Sequence, residues 1–200
     1  MGSQQVFQPL TREDKVSVVL YRTGIVISAI IISCLAYVLA MSPPSGAGGI
    51  SPLADILGYG LYFSVGVSVF FIHLYIGKFK TFLKNLYYLG LGGLAALLFI
   101  GNGSLSGALM HEPYSALLLL PLSGCLGFVT AKEAFCFQLF EGYLLAMIMP
   151  IYLLLVSAGI LSGRGVFLAL ALIAVMLVIF TLRKVTMPLA YDIGDKSAYQ

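Results

Sequence analysis

Six apolar runs, separated by short polar or glycine- and proline-rich breaks, account for most of this chain. A helix rises about 1.5 Å per residue and a bilayer's hydrocarbon core is about 30 Å thick, so runs approaching 20 residues are the units that cross it. The pattern predicts spans at 23–41, 56–76, 82–100, 114–130, 143–160 and 166–182. The third reaches back to Phe82 if Lys84 carries its ammonium up to the interface while its stem stays in apolar surroundings. Ser51 and Pro52 stand where a helix cap and first turn belong ahead of the second span, and Pro113 stands just before the fourth. Thr11, Arg12, Glu13 and Asp14 form a capping-box-like start, so the first helix begins outside the membrane and enters it through Tyr21 and Arg22. The expected fold class is all-α, a polytopic membrane bundle of six transmembrane helices forming one domain over 1–200, with short tails at both ends.

Composition agrees. Of 200 residues, 60% are hydrophobic and only 10% charged, where a soluble protein carries about 25% charged residues and needs them as a polar shell. Once the spans are subtracted, no length remains for a soluble catalytic domain. Charge then orients the bundle. Six spans put both termini on one side, and that side collects Arg12, Lys15, Arg22, Lys78, Lys80, Lys84, Lys132, Arg183, Lys184 and Lys196, against Arg164 alone on the other. Basic residues near span ends resist translocation, so both termini are expected to be cytoplasmic, or stromal in a plastid. Acidic Glu13 and Asp14, a long apolar run and the lack of a small-x-small cleavage site make the first span a retained anchor rather than a signal peptide. Tyrosine near the span ends supplies the aromatic belt in a chain without Trp.

Glycine numbers 22, and small residues recur at four-residue spacing: Gly60 with Ser64, Ser64 with Ser68, Gly92 with Ala96, Ser123 with Gly127. Such rows let helix backbones approach closely. Pro121 and Pro150 are expected to kink the fourth and fifth spans. They have no counterparts in the first half, which weakens a transporter-like inverted repeat.

Groups that carry chemistry are few. His73 and His111 fall on opposite sides of the bilayer and cannot share a metal, and Cys34, Cys125 and Cys136 form no CxxC pair. No catalytic constellation and no metal site emerge. His73, placed one turn inside the second span, is a candidate ligand to a pigment; the plainer reading is a histidine bonded to a neighbouring helix. The segment from Lys132 to Glu141 lacks Pro and Gly and is expected to be an interfacial helix or to extend span four or five. On a helix, Glu133, Phe137 and Glu141 share a side. With Lys132 they offer a docking surface for a partner, unless the carboxylates pair with the chain's own lysines. Asp192 and Asp195 lie in a C-terminal turn, which is either a solvated tail or a second contact for a partner.

Tyr21-Arg22-Thr23-Gly24, His73-Leu74-Tyr75, Lys132-Glu133-Ala134-Phe135-Cys136-Phe137, Leu182-Arg183-Lys184 and Asp192-Ile193-Gly194-Asp195-Lys196-Ser197 together resemble, over nearly the whole chain, the uncharacterised integral membrane family of cyanobacteria and plastids known as domain of unknown function 2301. The resemblance implies a photosynthetic membrane, the thylakoid, and a non-enzymatic accessory subunit or assembly factor bound to a photosystem or other pigment-protein complex. Chlorophyll, carotenoid or bound lipid are the cofactors that setting suggests; membrane lipids are partners and nucleic acid is not. The rival class is a small-solute transporter or channel, for which Asp55, His73 and Glu141 are the polar candidates, all near span ends.

Overall fold

The computed structural model describes residues 11–41 and 52–193. Six of its helices are long and apolar enough to cross a membrane. The first, α1 (Arg12–Met41), starts as a reciprocal box: Thr11 Oγ1 accepts from the Asp14 amide at 3.2 Å, and Asp14 Oδ2 accepts from the Thr11 amide at 2.9 Å. At about 45 Å, α1 is longer than a hydrocarbon core, so it brings a helical stem to the membrane as expected. α2 (Pro52–Phe71) opens on its proline; Ser51, the expected cap, lies outside the described residues. α3 is Gly77–Ile100.

Between α3 and the fourth span the chain builds a short helix absent from the hydropathy pattern, α4 (Leu105–His111), capped by Ser104, whose hydroxyl accepts from the Gly107 amide. Asp55 at the start of α2 accepts from the Ser106 amide at 2.7 Å and anchors it. The fourth span then runs as a 3-10 turn, Pro113–Leu119, into α5 (Leu120–Phe137). Pro121 therefore does not kink a helix. It sits in the first turn of α5, where its missing amide hydrogen costs no bond. α6 (Phe140–Ser157), α7 (Arg164–Val185) and α8 (Ala190–Ile193) complete the order. Pro150 lies inside α6, and the Ala146 carbonyl that it leaves without a helical donor faces Gly127 of α5, where an added Cβ would sit 3.4 Å from that oxygen.

The six spans alternate in direction, and side-chain bonds confirm which ends meet. Ser17 of α1 reaches His73 after α2, and Arg183 of α7 reaches Glu141 at the start of α6. α1 packs between α2 and α7, and α5 packs against α2, α3 and α6. Small residues permit the closest approaches. A Cβ on Gly24 would stand 2.3 Å from Ser68 Oγ and 2.6 Å from the Ser64 carbonyl, so α1 and α2 touch backbone to backbone. The Ser64 and Ser68 row works as expected. The Gly92 and Ala96 row does not: Gly92 faces open space, and the neighbouring Gly93 meets the Leu118 carbonyl instead, because the buried stripe of α3 runs through Leu83, Tyr87, Gly90, Gly93 and Leu97. Large apolar side chains such as Ile30, Phe63, Phe99, Met147 and Leu168 point outward, as lipid contact requires.

Candidate functional site: a buried ionic cluster at the basic end

The candidate site of this molecule is a set of charges placed inside it. At the end of the bundle rich in Lys and Arg, α1 contributes Tyr21 and Arg22, α5 Lys132 and Glu133, α7 Lys184 and α8 Asp192. Glu133 and Lys184 are fully buried, and the side chain of Asp192 is 1% exposed. Glu133 Oε1 accepts from the Tyr21 hydroxyl at 2.6 Å and from Lys132 Nζ at 2.7 Å. Its other oxygen pairs with Lys184, which pairs at the same time with Asp192 Oδ1. Asp192 Oδ2 accepts from Arg22 Nε at 2.6 Å.

The remaining guanidinium donors of Arg22 go to backbone: Nη1 to the carbonyls of Met187 at 2.6 Å and Val185 at 3.2 Å, and Nη2 to that of Pro188 at 3.1 Å. Val185 ends α7, so its carbonyl has no intrahelical donor. Met187 and Pro188 follow in the turn that the proline keeps from continuing the helix, where the Pro188 carbonyl also accepts from the Tyr191 amide. The planar fork of Arg suits this several-point capture. Aromatic rings close the cluster: Phe137 stands with its centroid 4.0 Å from Lys184 Nζ, Tyr191 stacks on Phe137, and Lys132 lies over Tyr21. Three cations face two carboxylates, so the cluster carries one positive charge in surplus, with Lys132 as the most accessible member at 14% side-chain exposure.

Burying a charge is costly, and a buried pair is worth having only with good geometry and full hydrogen bonding. Asp192 meets that condition at both oxygens, and Glu133 at Oε1, while Glu133 Oε2 is held by its charge pairing with Lys184. The cluster therefore acts as a tie that fixes α1, α5 and α7 to one another and clamps the C-terminal turn across them.

The expected docking residues separate accordingly. Lys132, Glu133, Phe137 and Asp192 come together, while Asp195 lies outside the described residues. Glu141 does not share a helix face with Glu133 and Phe137. α5 ends at Phe137, Gln138 takes the left-handed conformation with φ 54°, and Glu141 starts the next helix, where it holds Arg183 Nη1 through both oxygens at 2.7 and 2.8 Å. Glu133 takes the internal-pairing alternative, and Asp192, expected in a solvated tail or a partner contact, pairs inside the bundle with Arg22 and Lys184. Asp192 lies in a helix, α8, rather than in an open turn.

His73 also moves. α2 ends at Phe71, so the imidazole lies in the α2–α3 connection rather than within a span, and its Nε2 shares a 2.9 Å hydrogen bond with Ser17 Oγ. Burial, then the charges of Lys132 and Lys80, hold its pKa below the usual imidazole value against the opposing pull of Asp14 and Asp192. Among the described residues, no group of three or more His, Cys, Asp and Glu is placed to hold a metal ion. Cys34, Cys125 and Cys136 are free.

Tyr21, Arg22 and Lys184 escaped sequence reasoning as members of a site, since each has an adequate reading as belt or topology residue. The available signal was that Glu133 and Asp192 share their end of the bundle with an excess of cations, close to helix positions that must be buried.

Residues 67–200 match the model of the family described as Uncharacterized integral membrane protein, DUF2301. No curated protein and no solved structure matches the chain. The matched part contains Lys132, Glu133, Lys184 and Asp192; Tyr21 and Arg22 precede it.

Proposed function

The chain belongs to the uncharacterised integral membrane protein family DUF2301, and from that premise we propose that it is a non-enzymatic accessory subunit or assembly factor of a membrane protein complex. In the finer form of this reading the complex is a photosystem or other pigment-protein assembly of the thylakoid membrane, with both termini of the chain on the cytoplasmic or stromal side. One observation carries the interaction role. The ionic cluster holds the end of α5 and the Glu141–Arg183 pair holds the start of α6, and the corner between them displays Phe135 and Phe140, 80% and 69% exposed, at the basic end of the bundle. Two rigid aromatics held beside a polar rim are the anchors that protein interfaces favour. Lys132, Phe137 and Glu141 border the corner, and Glu133 and Asp192 set its shape from below.

The transporter reading has its nearest support in the intramembrane hydroxyls of Ser28, Ser64 and Ser68, but these bond one another and the backbone of α1 and α2.

Affinity purification from native membranes, followed by native gels, absorbance and mass spectrometry, tests the proposal. Co-migration with pigment proteins, lost on Phe135→Ala with Phe140→Ala, is the expected result. A lone monomer in native membranes, or a partner retained by the double variant, counts against it. Absence of pigment absorbance from the purified protein ends a ligand role for His73.

A further inference from the structure

The cations of the basic end differ in how they are paired. Arg22, Lys132, Arg183 and Lys184 each hold a carboxylate. Lys78, Lys80 and Lys84 on α3 pair with none among the described residues. Lys80 and Lys84 are one helical turn apart, so they project from the same side of α3, about 6 Å apart along its axis. Both are half-buried, whereas Lys78 is exposed.

That side faces the end of α2. Lys84 Nζ lies 5.5 Å from the centroid of the Phe70 ring, and Phe70 meets Tyr87 and Tyr88 edge-on at 5.8 and 6.2 Å. Phe70 and Tyr88 are nonetheless 38% and 55% exposed, which in a membrane bundle means open to lipid. The strip is thus cationic at its outer end and aromatic beneath, on two packed helices.

An ammonium at the edge of hydrocarbon keeps its hydration or takes an anion, and a bilayer presents lipid phosphate at that depth. A carboxylate on another protein would match the charge alone, while the exposed rings running inward from the lysines also match an acyl chain. We propose that Lys80 and Lys84, with Phe70 and Tyr88, form a binding site for an anionic phospholipid, its phosphate between the two ammonium groups and its first chain segment along the rings.

The test is native mass spectrometry of the protein ejected from vesicles of equal phosphatidylglycerol and phosphatidylcholine. The wild-type chain is expected to retain phosphatidylglycerol preferentially. Lys80→Gln with Lys84→Gln should lower that retention about 10- to 30-fold, while Arg12→Gln with Lys15→Gln, exposed cations of the same end, should change it by less than about twofold. Lys80→Arg with Lys84→Arg should keep it, so the proposal stays testable if the glutamine pair fails to fold. No preference in the wild type, or an equal loss from the Arg12 and Lys15 variant, overturns the site in favour of diffuse surface attraction. Displacement by about 10 mM inorganic phosphate overturns it in favour of a free-anion site, and an acidic protein retained in place of lipid overturns it as well.

Discussion

The two ends of this bundle are closed by different physics. At the basic end, Arg22, Lys132, Glu133, Lys184 and Asp192 tie three spans and the C-terminal turn through buried charge. At the opposite end, closure is local and lighter. Asp55 holds the start of α4 through hydrogen bonds from Ser104, Leu105 and Ser106, Ser104 caps α4, Ser115 bonds the Ala108 carbonyl, and glycines at 101, 103, 159 and 163 shape the turns. Buried charges punish any missing partner, whereas a solvated cap can be replaced by water. The same helices are therefore pinned at one end and only guided at the other.

The sharpest way to break this contrast is Lys184→Met, which leaves Glu133 and Asp192 buried without their shared cation. It should cost about 3–5 kcal/mol in reversible unfolding from mixed micelles, and adding Glu133→Gln should recover part of the loss. A cost no larger than that of a cap at the other end would remove the distinction. Next comes the helix contact beneath the cluster. Gly24→Ala, whose Cβ collides with Ser68 and Ser64, should cost about 1–3 kcal/mol, while Gly92→Ala, facing open space, should gain about 0.5–1 kcal/mol from helix propensity.

At the opposite end, Asp55→Ala removes the acceptor shared by Ser104, Leu105 and Ser106 and should cost about 1–2 kcal/mol, with proteolysis confined to the 101–112 connection as its local signature. Arg183→Ala removes a pair whose arginine side chain is 53% exposed, and the same unfolding assay should register less than about 1 kcal/mol. Its smallness beside Lys184→Met would isolate burial as the cause, since the two residues are adjacent. The gentlest probe is pH. Because the folded pKa of His73 lies below its unfolded value of about 6.5, the unfolded chain takes up the proton first. Stability should hold above that pH and fall as the solution is acidified through it, and His73→Gln should flatten that part of the profile.

Much of the architecture was legible beforehand because a bilayer imposes it. The six runs, the capping box at Thr11 and Asp14 and the close-packing role of Ser64 and Ser68 all follow from length, hydropathy and residue size. The boundaries and joints were less so. Pro121 looks like a kink until a 3-10 turn is found ahead of it, and α4 is too short to register in a hydropathy pattern. The choice of Gly93 over Gly92 depends on helix rotation, to which composition is blind. The site was half legible: Lys132, Glu133 and Asp192 stood out as charges, but their destination inside the protein did not.

Sequence by itself determined that this is a six-span membrane protein and that its charge gathers at one end, because solvation in lipid acts on each segment independently. Only the tertiary structure decided which of those charges are satisfied internally and which face outward. That division depends on distances between α1, α5, α7 and α8, residues up to 170 positions apart along the chain, and no local pattern encodes them.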